Sequence, residues 1–453
     1  MKRFMIAALA ATAVTTPAWG DNGDVEQLKE ELKRLQMQLK SLEKRLEQAE
    51  SSSDEASATA KAAADKADTA SERATVAQND AADAKPDIHV GGALRFQFQR
   101  RGSNANDRAT GGEIDIDTFR INLDGEISNI IFSAEYRFYP TFGNSHFIHH
   151  GWLGYDFSDE WRGQLGIMQV PFGIQPYASN NFFFSSNYYL GLEDDYDMGV
   201  NFIYNSGSHN LQLAFFKNDE YAEIFDDNRF KRYSYDPLNV SDGTNKEAIE
   251  EANTGNIRYA YRAVHAENAA SEFGVSLQGG QIYNSAINED GGDHWAAAGH
   301  LHGNYGPWNL MLQLTKYAIN PEASPGFDTE IIGTGAYSFE YTMPAEAWTY
   351  LANLAYTQNV SIGPISALKY YNDFTYVDKE DPRLEETIQN VTGMSIAAGA
   401  FFTYVDFVLA KNQPFTTPYI SSGGFGGAQL TDLGSAAANK WDTRFNINVG
   451  YYF

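Results

Sequence analysis

Six arginines and a glutamate carry the chemistry that is most legible in this chain. Arg95, Arg120, Arg137, Arg162, Arg258 and Arg262, with Glu135, each sit in a short run where apolar and polar residues alternate. Alternation with period two puts all seven on the polar faces of extended strands. Their counterpart is a stretch from Gly163 to Phe216 that contains no Lys or Arg. It carries Glu193, Asp194, Asp195 and Asp197, and an aromatic group at Phe182, Phe183, Phe184, Tyr188 and Tyr189. Guanidinium groups facing carboxylates across a water-filled space would set a transverse field that sorts solutes by charge. Two plainer readings compete with it. The arginines could simply pair with neighbours such as Asp124 and Glu135, and the aromatic group could pack its segment to a wall rather than guide a sugar.

Constellations for catalysis or metal binding are weak. There is no Gly-x-Ser-x-Gly, no His-Glu-x-x-His and no phosphate-cradling glycine loop. His149 and His150 are expected on opposite faces of a strand, where they could not chelate together. His300 and His302 share a face but have no third ligand nearby in sequence. Asn288 to Asp293 could hold Ca²⁺ but reads more simply as a solvated loop. No catalytic residue, metal or cofactor is expected, and no enzyme activity.

The elements that would position the charges follow from the same alternation. From Asp87 onward it dominates: Leu94, Phe96 and Phe98 oppose Arg95 and Gln97, and Phe119, Ile121 and Leu123 oppose Arg120 and Asn122. Ile130, Phe132, Ala134, Tyr136 and Phe138 oppose Glu135 and Arg137. Sixteen or seventeen such runs can be marked through residue 453. Both ends of a closed barrel should lie on one side of the membrane, which requires an even number, so about sixteen antiparallel strands are expected. One run between 331 and 400 is then surplus. Short connectors such as 158–160 and 205–208 alternate with long ones near 170–196, 218–255 and 413–440. A barrel of this size is wide enough for an aqueous channel.

Ahead of the strands lie two other segments. Residues 1–20 have a basic start, an apolar run and Ala18-Trp19-Gly20, the pattern of a cleaved secretory signal peptide. Residues 21–85 read as an α-helical coiled coil, with Val25, Leu28, Leu32, Leu35, Leu39, Leu42 and Leu46 spaced 3, 4, 3, 4, 3, 4 and alanines continuing the register. Such a seam implies self-association, and a homotrimer is the economical expectation. The rod would be roughly 90 Å long. Its expected place is the periplasm, where contact with peptidoglycan is a further partner to consider. Pro86 ends it.

Charge excludes one class of partner. The chain has 33 Lys+Arg against 59 Asp+Glu, a net of -26. Nucleic-acid binding needs a basic surface and is not expected. With no cysteine, thiol chemistry is excluded as well.

Residues 444–453, RFNINVGYYF, alternate strictly and end on an aromatic. They resemble the closing strand of Gram-negative outer-membrane barrels. The stretch from about 113 to 217 resembles the phosphate-selective porin O and P family. The segments that carry this likeness are Thr118 to Gly125, Gly151 to Tyr155, and Gln164 to Gly173 with its Pro171-Phe172-Gly173 turn. A coiled coil before a barrel is also similar to sucrose-type porins, which have eighteen strands. The first resemblance implies a channel whose loop after Pro-Phe-Gly folds inward. The expected plan is a signal peptide at 1–20, a coiled coil at 21–85 and an outer-membrane barrel at 86–453, in contact with outer-membrane lipid. Pore-lining candidates are Arg95, Arg120, Glu135, Arg137, Arg162, Arg258 and Arg262; constriction-loop candidates are Phe183, Tyr188, Glu193, Asp194 and Asp195. The expected function is passive diffusion of small hydrophilic solutes or ions. A phosphate or anion channel and a structural tether to the cell wall are the alternatives. Residues 86–453 hold 44 acidic against 21 basic residues, an excess that would repel phosphate.

Overall fold

The computed structural model describes residues 29–30, 33–37, 39–42 and 44, then 87–141, 143–221, 232–237, 249–284, 287, 289–324, 328–337, 339–413 and 440–453. The chain divides into two compact units, Met1–Asp83 and Ala84–Phe453. In the first, the described residues are helical, with Leu35, Leu39 and Leu42 exposed. The signal peptide, most of the 21–85 coiled coil, the interior of the 413–440 loop and much of 218–255 lie outside the described residues. Among the described residues no helix is long and apolar enough to cross a membrane, which says nothing of crossing by strands.

The second unit is a closed barrel. Its strands in chain order are β1 (Asp87–Arg101), β2 (Glu113–Ile127), β3 (Ile130–Tyr139), β4 (Ser145–Asp156), β5 (Trp161–Gln169), β6 (Tyr196–Ser206) and β7 (His209–Asp219). After β8 (Asp236–Pro237) come β9 (Ile249–Ala266), β10 (Ala269–Asn284), β11 (Glu289–Tyr305) and β12 (Trp308–Pro321). Then follow β13 (Ile331–Ala336), β14 (Phe339–Pro344), β15 (Glu346–Ile362), β16 (Ile365–Lys379), β17 (Thr387–Ala398), β18 (Phe401–Lys411) and β19 (Trp441–Tyr452). Sixteen of them form the wall, each antiparallel to its neighbours, and β1 closes on β19. Closure leaves no unpaired edge. The surplus run expected between 331 and 400 is accounted for here. β13 and β14 form a hairpin that pairs with β8 in a separate three-stranded sheet.

Turns at one end are tight. Ser128 and Asn129, between β2 and β3, have φ of 50° and 65°, the left-handed values that a two-residue hairpin requires. The long loops all leave from the opposite end.

The barrel is apolar outside and polar inside. Leu123, Phe202, Leu213, Ile257, Val275, Leu277, Leu312, Leu354 and Phe407 are exposed on its outer face. Near the tight turns this band is bordered by ring pairs: Tyr155–Phe157, Trp161–Tyr204, Trp308–Tyr356 and Phe401–Tyr451, with centroids 4.9–5.2 Å apart. Water would not tolerate a continuous apolar belt of this extent, whereas lipid favours it, and aromatic girdles mark the interfaces. With every wall strand paired on both sides, no backbone edge meets hydrocarbon. The fold is that of a transmembrane barrel.

Bulges adjust the alternation where it matters. Ile114 and Ile116 share the outward face with Phe119 and Ile121, although the parity changes between them. A register shift opposite Arg95 and Phe96 leaves Asp117 unmatched, and both Asp117 and Thr118 end up buried. A second bulge leaves His149 unmatched between Ile148 and His150. The two histidines therefore do not point to opposite faces: their Nδ1 atoms lie 2.9 Å apart.

Replacing outward-facing Val275, 58% exposed, by arginine should destabilise the barrel by about 2–4 kcal/mol if it lies near the membrane midplane. Unfolding by urea in lipid vesicles measures this. A Val275→Arg barrel as stable as Val275→Ala would argue that this face does not meet lipid.

Candidate functional site

The site is built on the segment that joins β5 to β6. Residues 170–195 fold into the lumen, and their ends meet where Val170 N donates to Asp195 O at 2.8 Å. Inside a barrel the loop's backbone groups need partners as surely as in any core. The wall supplies them strand by strand. Arg258 Nε of β9 donates to Gly173 O at 2.8 Å, and Gly173 N donates to Ser276 Oγ of β10 at 3.0 Å. Gln313 Oε1 of β12 accepts from Ile174 N at 2.9 Å, and Asn353 Nδ2 of β15 donates to Ala178 O at 2.7 Å. Asp373 of β16 accepts from the backbone N–H and side-chain amide of both Asn180 and Asn181, at 2.6–3.1 Å. Gln389 Nε2 of β17 donates to Phe184 O at 2.9 Å.

Local conformation explains two of these contacts. Gly173 has φ +57°, and a Cβ there would meet the Gln313 amide at 2.5 Å. Glycine thus completes the Pro171-Phe172-Gly173 turn. Phe184 has φ +60°, which is unfavourable for a bulky residue, and its carbonyl is the one that Gln389 holds.

The loop's carboxylates serve the loop itself. Glu193 accepts from Ala178 N and Ser179 Oγ, both at 2.9 Å, and from Ser185 N at 3.0 Å. Asp194 accepts from the Tyr233 hydroxyl and, at 3.3 Å, from Gln169 Nε2. Burial raises the Glu193 carboxyl above its usual range and pushes Asp194 up to about 7. Glu193, Asp194 and Asp195 are not among the residues that line the lumenal cavity. The expected arrangement of loop carboxylates facing wall arginines is therefore not the one found. Glu193 and Asp194 are used inward, as locks on the loop's own turns.

Rings face the wall instead. A cavity of about 230 Å³ is lined by Arg95, Arg120, Arg137 and Arg444 together with Tyr177, Phe182, Phe183, Tyr188, Tyr233, Tyr337 and Tyr452, among others. The four arginines come from β1, β2, β3 and β19, which are contiguous around the closure. Each guanidinium lies over a ring: Arg95 over Phe182 at 5.4 Å, Arg120 over Tyr452 at 5.2 Å, Arg137 over Tyr233 at 4.6 Å and Arg444 over Phe183 at 4.8 Å. Cation–π contact of this kind fixes the plane of the group while leaving edges for a solute.

Two carboxylates offset part of this charge. Arg95 Nε pairs with bulged Asp117 at 2.7 Å. Arg120 and Arg137 are cross-strand partners, and Glu135 lies against both, 3.5 Å from Arg120 and in direct contact with Arg137. Like charges directly opposite on a sheet repel, so Glu135 is what lets this pair stand. The lining itself holds four guanidinium groups and one carboxylate, Asp117, with Glu135 set against Arg120 and Arg137.

The remaining candidates fall elsewhere. Arg162 makes a two-pronged pair with Asp156 at 2.6 and 2.9 Å and does not line the cavity. Arg258 is buried, held by Glu272 at 2.6 Å as it anchors the loop. Arg262 is exposed and away from the cavity lining. Phe183 and Tyr188 do line it.

Sequence reasoning missed Arg444, although alternation in the last strand put it on the polar face and closure puts β19 beside β1. It also missed the second half of the aromatic lining. Tyr233 and Tyr235 lie beside β8, and Tyr337 at the β13–β14 turn. Tyr188 Oη and Tyr337 Oη are 2.8 Å apart, and the Tyr341 hydroxyl donates to Tyr189 O. Burial among these rings raises the Tyr188 hydroxyl well above its ordinary value.

The fold is similar to that of solved bacterial porins. An anion-selective porin from Comamonas acidovorans is 13% identical, with 82% of this chain and 100% of that one aligned and a TM-score of 0.52. The OmpF of Salmonella typhi, in complex with daunomycin, is 11% identical over 83% and 99% of the two chains, with a TM-score of 0.51. At such identities the likeness is one of fold. No family model matches the sequence, and no curated protein does.

Asp373→Ala should release the loop between residues 178 and 186. Four hydrogen bonds to one carboxylate are lost, and a single bond to a charged group contributes about 1.5–3 kcal/mol. The expected result is faster protease nicking within the loop and a larger, noisier single-channel conductance, with the barrel intact. Nicking at the wild-type rate would show that Asp373 is dispensable.

Proposed function

We propose that this chain is an outer-membrane porin through which small hydrophilic solutes and ions diffuse passively, with anions preferred over cations. The observation that carries the reading is the contiguous wall of Arg95, Arg120, Arg137 and Arg444 along the lumenal cavity. The acidic excess of the chain argues the other way, and distance decides between them. At physiological ionic strength exposed charges are screened over about 8 Å, so acids on outer loops act weakly at the constriction. Side chains of Arg95 and Arg120 retain 16% and 21% exposure and act there directly. Selectivity follows the lining.

Kinship with the phosphate-selective porin O and P family is part of this proposal. It rests on the segments between 113 and 217, above all Pro171-Phe172-Gly173, whose turn begins an inward-folding loop. The lining contains guanidinium groups and no lysine, a chemistry suited to oxyanions. The heptad seam of residues 25–46 supports assembly as a homotrimer with a periplasmic coiled coil. Through that rod the protein would also reach peptidoglycan, and a tethering role is compatible with conduction.

Reversal potential in planar bilayers, under a tenfold KCl gradient, tests the main reading. Anion preference is expected, and Arg95→Gln with Arg120→Gln and Arg444→Gln should move the potential toward the cation side by tens of millivolts. Cation preference in the wild type would overturn the proposed selectivity. Absence of any conductance would overturn the porin and leave the tether.

A further inference from the structure

Behind the inner loop, on the side away from the arginines, lies a buried group of acids that the channel reading does not use. Asp195 ends the loop, Asp197 is the second residue of β6, and Asp236 belongs to β8 of the small sheet. One carboxylate oxygen from each lies within 4.8 Å of the other two, and all three residues are buried. Asp197 is only 2% exposed, and its Oδ1 has no hydrogen-bond partner. A carboxylate oxygen in that position is costly unless something answers it. The surroundings add to the demand. Glu220 and Glu251 are electrostatic neighbours of Asp195 and Asp197, and Glu220 Oε2 likewise lacks a hydrogen bond. Arg232 is shared out on the other flank, paired with Asp219, 3.1 Å from Asp236 and 3.9 Å from Glu220.

We infer that Asp195, Asp197 and Asp236 form a binding site for a hard divalent cation, with calcium the one its chemistry fits. Carboxylate oxygens from three separate segments, with no thiolate or imidazole in the set, suit an oxygen-seeking ion. Calcium accepts six to eight oxygens in irregular geometry, where magnesium demands a near-ideal octahedron. The ion joins the inner loop to β8, and so to the β13–β14 hairpin that pairs with it. Its effect is to fix the aromatic side of the cavity, because Tyr233 and Tyr235 flank this junction in sequence. The inference does not depend on which solute passes through the barrel.

Terbium in place of calcium tests it on the full chain folded in detergent. Tyr196 adjoins two of the ligands and Tyr235 the third, so excitation of tyrosine should sensitise bound terbium. A saturable signal is expected, displaced by Ca²⁺ with half-saturation on the order of 10⁻⁴–10⁻³ M, the range of extracellular calcium modules. Asp197→Asn should weaken it at least tenfold, and Asp236→Asn serves if that variant does not fold. In the wild type, removing Ca²⁺ with a chelator should accelerate protease cleavage within residues 170–195. A wild type without a saturable signal would overturn the site. So would an Asp→Asn variant that titrates like the wild type, since terbium would then be held by other acids of this chain.

Discussion

A loop that enters a barrel carries its backbone with it, and every buried N–H and C=O must find a partner there. In this protein the wall answers the loop. Arg258, Ser276, Gln313, Asn353, Asp373 and Gln389 project from six strands of the wall between β9 and β17, and their contacts run along the loop's backbone from Gly173 to Phe184. The loop is thereby laid against about half the circumference. Its other side faces β19, β1, β2 and β3 across the cavity. The position of the lumenal cavity, between the loop and these strands, follows from this one set of contacts.

Hydrogen bonds alone do not hold such a loop. Each contributes a net of about 0.5–1.5 kcal/mol, while ordering a single residue's backbone costs about 1–2 kcal/mol. Rings supply the difference. Tyr188, Tyr189, Tyr233, Tyr235, Tyr337 and Tyr341 pack together with Tyr139, Phe147 and Phe172 in one buried cluster. Aromatic side chains bury the most area per residue, and the Tyr188 and Tyr337 hydroxyls pair within the cluster. The core that a soluble protein would place between its sheets here sits inside the barrel, contributed largely by loops. One of these rings, Tyr233, also carries the guanidinium of Arg137, so the cluster and the cavity share that residue.

The barrel was legible in the sequence because its signal is periodic and repeated. Alternation placed Arg95, Arg120, Arg137 and Glu135 on one face, and an even strand count removed the surplus run. What alternation could not convey was a change of parity. Asp117 and His149 read as ordinary members of their runs, yet bulges turn them beside residues from which they should be separated. The parity switch between Ile116 and Phe119 was the visible trace of the first. Loop chemistry was less legible still. Glu193 and Asp194 look like a charged surface until Ser179, Ser185 and Tyr233 are seen to surround them, and those partners come from up to 39 positions away. Arg232, Tyr233 and Tyr235 carry no periodic signal, because a segment whose strand is two residues long offers none.

Net charge and the cavity lining differ in sign for a related reason. A sum over the chain weighs a carboxylate on an outer loop equally with one at the constriction, though a Debye length separates their effects. It also counts as negative the acids that a fold consumes internally. Glu193 and Asp194 are spent as hydrogen-bond acceptors, with burial raising the affinity of both for protons. The four arginines, by contrast, come from adjacent strands and face a common space. Asp117 and Glu135 stand directly against them and relieve part of their mutual repulsion. On the proposed reading, the sign that matters for a channel is the one its lining presents, and four arginines line this cavity although the chain's net charge is -26.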